Sequence, residues 1–353
     1  MHKLHSLTVS SVEKNTPETA VLTLDVPAAL ADEFAYSHGQ HLTLCADVDG
    51  EEVRRSYSIC SAVGDGQLKV AVRKVAGGRF STYANETLQA GGEVKVLAPA
   101  GHFGIALEPD SARTYAAFAA GSGITPIISI LKTTLAAEPD ARFMLFYGNR
   151  DKSSTIFLNE LALLKNTYMD RFSCWHFLSQ EETEAAFLKG RLDGEKIQYI
   201  LDNIMPAAKI DHAFVCGPEA MIDSTVETLL AAGMADSTVH FEKFMSEGQQ
   251  SQAPVRSEAA EGVSAVTLII DGDELLLKAD KKTLLLDAAH DQGIDAPFAC
   301  KSGVCCACRA KVLEGEAEMV MNQGLEPDEV AAGFILTCQS YAVSNKLRIS
   351  FDE

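Results

Sequence analysis

Three cysteines crowd one short loop near the C-terminus, Cys300, Cys305 and Cys308, and a fourth, Cys338, stands well beyond them. The spacing C-x4-C-x2-C…C is that of the thiolates that hold a two-iron, two-sulfur (2Fe–2S) cluster. A loop that gives three thiolates to one centre must curl round it with its backbone N–H groups turned inward. Gly303 supplies a residue that can turn where a side chain would obstruct. Cys306 falls between ligands, so its sulfur is expected to point away. A four-thiolate zinc site and reduced core cysteines are the other uses of such residues. Zinc sites usually pair their ligands as two C-x2-C units, and this chain has one, Cys305 and Cys308. A one-electron centre needs an electron source, which must lie in the first two-thirds of the chain.

With 353 residues the chain is too long for one ordinary core, and two or three domains are expected. A formal net charge of −19 argues against nucleic-acid or anionic-membrane partners. It fits docking onto a basic partner, and equally a charge that keeps the chain in solution. The chain opens without the apolar segment of a signal peptide and has no 18-residue apolar run. Nine cysteines, four of them assigned to iron, fit a reducing cytoplasm.

Residues 1–106 read as short strands punctuated by Pro17, Gly50, Gly64, Gly66, Gly91 and Gly92, which predicts an antiparallel barrel. From 107 to 245 the pattern changes. Apolar runs at 114–120, 142–147, 172–178 and 212–216 alternate with helix-length segments, and 238–244 closes the series, which predicts an α/β domain with a parallel sheet. The polar stretch 246–263 reads as a linker, and 264–353 as a compact cluster domain.

Along the barrel segment, Arg54 to Ile59 place Arg55, Ser56, Tyr57 and Ser58 on one strand. Alternation sets Arg55 and Tyr57 on the same face, where a cation and a ring can meet a phosphate-bearing planar ligand. Ordinary surface gives the same pattern. Gly77, Gly78 and Ser81 open a helical segment and offer a seat for a pyrophosphate, or a plain capped turn. Gly121, Gly123, Thr125 and Pro126 follow an apolar strand and open an apolar helix, a turn that lets backbone approach a nucleotide. Pro126 interrupts the full dinucleotide fingerprint. After the next strand, Arg150 and Ser153 suit a ribose 2′-phosphate and Asp151 does not. Cys216, Gly217 and Pro218 repeat the strand, turn, helix order at the sheet edge where open α/β sheets bind ligands, and Cys216 is placed to touch a nicotinamide.

In this order the motifs resemble the ferredoxin:NADP reductase superfamily over the whole chain. The resemblance implies an FAD barrel, an NAD(P)-binding α/β domain and a β-grasp ferredoxin domain of α+β type. It implies FAD through Arg55, Tyr57, Ser58, Gly78 and Ser81, and hydride transfer from nicotinamide C4 to flavin N5 by positioning, without a general base. By the same resemblance Phe244 covers the flavin and Glu242 adjusts its chemistry; as ordinary residues they would be a strand-end core group and a solvated acid. Stretches at 39–44, 51–60, 101–104, 147–150, 190–197 and 325–339 are similar to reductases that serve ring-epoxidising di-iron oxygenases of phenylacetate degradation. Cys306 and Ala307 depart from that pattern.

The implied flow is NADPH, FAD, 2Fe–2S cluster, oxygenase subunits. NADH as donor, with hybrid-cluster protein or a ring-hydroxylating dioxygenase as acceptor, keeps the same electron chemistry. A non-catalytic redox-sensing subunit is the reading of another class, and it needs neither a flavin site nor a nicotinamide site.

Overall fold

Alternating apolar residues in the N-terminal third build β1 (His5–Thr16), β2 (Thr19–Asp25), β3 (His41–Val48), β4 (Glu51–Ser58), β5 (Leu68–Arg73), helix α1 (Arg79–Glu86) and β6 (Glu93–Val96). The structure, a computed structural model, describes residues 3–183, 185–244 and 262–353. The strands pair antiparallel in the order β4-β3-β6-β1-β2-β5, and a bridge between Ile59 and Val70 brings the two ends of that order together. The sheet thereby curls into the expected barrel. Leu7, Leu22, Leu42, Leu44, Val70 and Val96 fill its interior at zero exposure, each contributing about 1.5–3 kcal/mol of burial free energy. Val21 and Ala71 face outward from β2 and β5 and join the core of the next domain.

The second domain alternates β7 (Thr114–Ala120), α2 (Ile124–Ala137), β8 (Arg142–Asn149), α3 (Leu158–Thr167), β9 (Phe172–Leu178), α4 (Gly194–Asn203), β10 (His212–Gly217), α5 (Glu219–Ala231) and β11 (Val239–Lys243). All five strands are parallel, in the order β11-β10-β7-β8-β9. Separate apolar cores cover the two faces, one with Ile127 and Ile128 of α2, the other with Ile197 of α4 and Ile222 of α5. The chain turns from one side of β7 to the other between β9 and β10, so the crevice at the C-terminal ends of β7 and β10 is a topological switch point, where such sheets bind ligands.

Of the stretch read as a linker, residues 246–261 lie outside the described residues, and Val263 already opens β12 (Val263–Ile270). The last domain continues with β13 (Asp273–Asp280), α6 (Leu285–Asp291), β14 (Arg309–Glu314), β15 (Ala317–Met319), α7 (Pro327–Ala331), β16 (Phe334–Leu336), β17 (Ser340–Ala342) and β18 (Lys346–Ser350). The sheet order is β13-β12-β18-β14-β16, with β12 and β18 parallel and the other pairs antiparallel. Leu285, Leu286 and Ala289 of α6 are buried in the core beneath this sheet, giving the β-grasp arrangement. Among the described residues no helix is long and apolar enough to cross a membrane.

Candidate electron-transfer site

The loop before β14 wraps its cysteines inward. Cys300 Sγ accepts hydrogen bonds from the backbone N–H of Ser302 and Cys305, both at 3.4 Å, and Cys305 Sγ accepts from Cys300 N at 3.4 Å. The neighbouring Cys305 thiol and these N–H donors hold the Cys300 thiol well below its ordinary pKa, and thiolates are what iron binds. Cys308 and Cys338 sulfurs form a second neighbouring pair. Two pairs suit a two-iron core with two thiolates on each iron. All four cysteines are free thiols and fit the cluster.

Gly303 has φ +76°, and a Cβ there would press on Gln339 and on the Met321 carbonyl at 3.1 Å. Lys301 and Cys306 also take left-handed backbone, at φ 53° and 55°, a strain that such loops keep where ligands must be aimed. Cys306 Sγ turns to the Val304 carbonyl and lies against Gly324.

Ser58 ends β4 and donates its hydroxyl to Glu242 Oε2 of β11 at 3.2 Å, which ties the barrel to the parallel sheet. Cys216 is the register partner of Glu242, so barrel, β10 and β11 meet at one point. The residue Glu242 keeps some solvent contact, but its carboxyl is desolvated, and this pushes its pKa up to about 7 against the opposing pull of the Ser58 hydrogen bond. Burial drives the Cys216 thiol far above its ordinary value, so it stays neutral and acts as a packing group. Phe244 follows β11 with 38 % of its surface exposed.

Arg55 and Tyr57 share a face of β4, and Tyr57 packs on Phe80 of α1 with centroids 5.5 Å apart. Ser56 points the other way and meets Thr43 Oγ1 at 3.4 Å, so its hydroxyl belongs to the sheet. Gly77 has φ +74° with open space around it, and Gly78 caps α1 without a side chain. The first N–H groups of α1 therefore remain available to a phosphate. Ser81 is engaged in the turn: it accepts from Val75 N at 3.2 Å and donates to the Gly78 carbonyl at 3.3 Å. This cradle fits a flavin nucleotide.

At the switch point Gly121 has φ +55°, and the Arg73 guanidinium sits 2.9 Å from where its Cβ would be. Gly123 is required by the protein itself, because a Cβ would fall 2.0 Å from the Cys216 carbonyl. Its close approach is to β10. Thr125 donates to the Ser122 carbonyl at 3.0 Å, and Pro126 is buried in the first turn of α2. Gly217 is hemmed in by Met221 and Ala120, and Pro218 caps α5. Arg150, half-exposed, pairs with Glu18 of the barrel at 2.8 Å. Asp151 caps a short turn, accepting from Ser153 Oγ at 2.7 Å and Ser154 N at 2.9 Å, so its carboxylate is already committed.

Three residues have no role assigned from the sequence, although His41 and Arg54 lie within the stretches 39–44 and 51–60. Arg73 stands beside Gly121, at the end of a strand with nothing to single it out. His41 Nε2 lies 2.9 Å from the Cys305 carbonyl, and Arg54 reaches Asp295. The strand alternation that selected Arg55 also places Arg54 on the opposite face.

Comparison with known proteins agrees with this layout. Residues 6–105 match the "Oxidoreductase FAD-binding domain", 118–227 the "Oxidoreductase NAD-binding domain" and 268–343 the "2Fe-2S iron-sulfur cluster binding domain". The chain is 43% identical to a subunit of the 1,2-phenylacetyl-CoA epoxidase of Escherichia coli K12, over 100% of this chain and 99% of that protein. It is 36% identical to the 3-ketosteroid-9-alpha-monooxygenase ferredoxin reductase component of Rhodococcus rhodochrous, over 98% and 96% of the two. The structure of phthalate dioxygenase reductase shares the fold, with TM-score 0.61 and 24% identity over 99% of this chain and 98% of that one. The chain thus belongs to the ferredoxin:NADP-reductase-type oxidoreductases that pass electrons from a reduced nicotinamide nucleotide through FAD to a 2Fe–2S cluster within one polypeptide.

Proposed function

We propose that the donor is NADPH, that the acceptor is a di-iron oxygenase, and that this oxygenase is the phenylacetyl-CoA epoxidase of aerobic phenylacetate degradation. The end-to-end likeness to an epoxidase subunit supports the acceptor. One structural observation carries the electron route: Ser58, hydrogen-bonded to Glu242 of the nucleotide domain, is the cross-strand partner of His41, which is bound to the cluster loop. Three domains therefore meet around one residue pair.

When bound, FAD supplies a carrier that takes electrons in pairs and releases them singly, and the cluster one that holds them one at a time. The protein's own task is placement. Arg55 and the open N–H groups of α1 bind the diphosphate, and Tyr57 orients the ring system from the same strand face. Ser58 fixes the Glu242 carboxyl, which holds a proton up to about pH 7. Cys216, with Gly121, Thr125, Gly217 and Pro218, shapes the nicotinamide seat, and Phe244 covers the flavin ring. Arg150 and Ser153 bind the 2′-phosphate; the exposed pair of Arg150 with Glu18 is weak enough to exchange for a phosphate. The four cysteines Cys300, Cys305, Cys308 and Cys338 hold the cluster. The cysteines outside the cluster set, Cys45, Cys60, Cys174, Cys216 and Cys306, are free thiols, which supports residence in a reducing cytoplasm.

The test is reconstitution of the holo-protein with purified epoxidase oxygenase subunits. NADPH oxidation that requires both the subunits and phenylacetyl-CoA is the expected result. Reduction of a Rieske oxygenase or of hybrid-cluster protein, with none through the epoxidase, would refute the acceptor and leave the electron chemistry standing.

A further inference from the structure

We infer that Arg54 is the positioning residue that seats the cluster domain on the barrel, gripping Phe298 and Asp295 from the face of β4 opposite to the one that carries Arg55. The inference rests on the electron route proposed above and assigns a residue to its last internal step.

Successive residues of a strand face opposite sides, so adjacent arginines serve different neighbours. Arg54 is unusual for an arginine, with only 6% of its side chain exposed. Its Nε donates to Glu52 at 2.7 Å, which fixes the guanidinium and compensates its charge. The same guanidinium lies 4.6 Å from the centroid of Phe298, and its Nη2 donates to Asp295 at 3.1 Å. Asp295 has 78% of its side chain exposed, so that ion pair alone is weak. The desolvated stack on Phe298 is the stronger hold.

Phe298 stands two residues before Cys300, so whatever fixes the ring also fixes the start of the cluster loop. Next to it, Leu97 and Leu4 of the barrel pack on Ala299, Cys305 and Ala307, and His41 bonds the Cys305 carbonyl. Electron transfer weakens steeply with distance. A residue that holds this seam closed therefore acts on transfer from flavin to cluster while leaving the nicotinamide reaction alone.

The experiment compares holo-protein of the wild type, Arg54→Ala and Phe298→Leu. Ferricyanide takes electrons at the flavin, and cytochrome c through the cluster. Both variants should keep FAD, iron and NADPH–ferricyanide activity within twofold, while NADPH–cytochrome c activity falls tenfold or more. Hydrogen exchange at residues 298–308 should rise in both, a readout independent of turnover. Phe298→Leu tests the same contact from the other domain if Arg54→Ala fails to fold. Unchanged exchange and cytochrome c reduction in both would overturn the inference. So would a parallel loss of FAD and ferricyanide activity, which would make Arg54 part of the flavin site. Failure of the wild type to reduce ferricyanide with NADPH would instead strike the proposed function.

Discussion

His41 and Ser58 are direct partners across β3 and β4, and each reaches out of the barrel, His41 to the Cys305 carbonyl at 2.9 Å and Ser58 to Glu242 at 3.2 Å. One rung of an antiparallel ladder thus joins the cluster loop to the corner where the parallel sheet meets the barrel. Burial lowers the His41 pKa, so the ring is neutral near pH 7 and spends one nitrogen on the carbonyl.

Glu242 should imprint its titration on stability. Its folded pKa of about 7 lies above the ordinary 4.5, so the folded protein binds the extra proton between these values. Its contribution is complete below pH 4.5 and is lost as pH rises through 7. Relative to Glu242→Gln, the wild type should lose on the order of 1 kcal/mol across that window after allowance for solvent screening. Urea unfolding of both proteins at pH 5 and pH 8 checks this; a constant difference contradicts it.

Replacing Cys300, Cys305, Cys308 or Cys338 by Ser should abolish the cluster's visible absorption and bring iron content close to zero. Cys306→Ala should retain both, since its sulfur faces Val304. Iron analysis and absorption spectra separate the two classes, and loss of iron from Cys306→Ala would contradict the ligand set.

Two glycine substitutions should differ in kind. Gly123→Ala drives a Cβ into the Cys216 carbonyl, which only a backbone shift between α2 and β10 relieves, costing about 1–3 kcal/mol or more. Gly77→Ala meets open space and costs only the left-handed backbone penalty of about 1–2 kcal/mol. Urea unfolding should show the larger loss for Gly123→Ala, and NADPH oxidation should show that variant losing the nicotinamide reaction.

Arg150→Ala should raise the KM for NADPH about tenfold and leave that for NADH unchanged, the low end of what a charge-assisted hydrogen bond is worth. Steady-state kinetics with both nucleotides is the check. Equal effects on the two would remove Arg150 from the 2′-phosphate site.

The barrel, the parallel sheet and the cluster loop are legible in the sequence because each rests on local periodicity or spacing: alternation from Leu7 to Val96, apolar runs from Thr114, and the cysteine intervals. Spacing alone also sets Cys306 apart from the four expected ligands. Gly123 reads as room for a ligand, whereas the Cys216 carbonyl fills that room; the contact spans too much sequence for any local pattern to display it. Asp151 leaves the nucleotide preference open in the sequence, and only its capping bonds to Ser153 and Ser154 show that its carboxylate is spent. Arg54 is hidden for a different reason. Alternation places it on the far face of β4, but only the docked cluster domain, with Phe298 and Asp295, gives that face a purpose.

The most direct test of the electron route is freeze-quench spectroscopy of the holo-protein mixed with one equivalent of NADPH. The flavin absorption should bleach first, and the paramagnetic signal of the reduced two-iron cluster should then grow in the same molecules. A flavin that bleaches while the cluster stays oxidised would contradict that route.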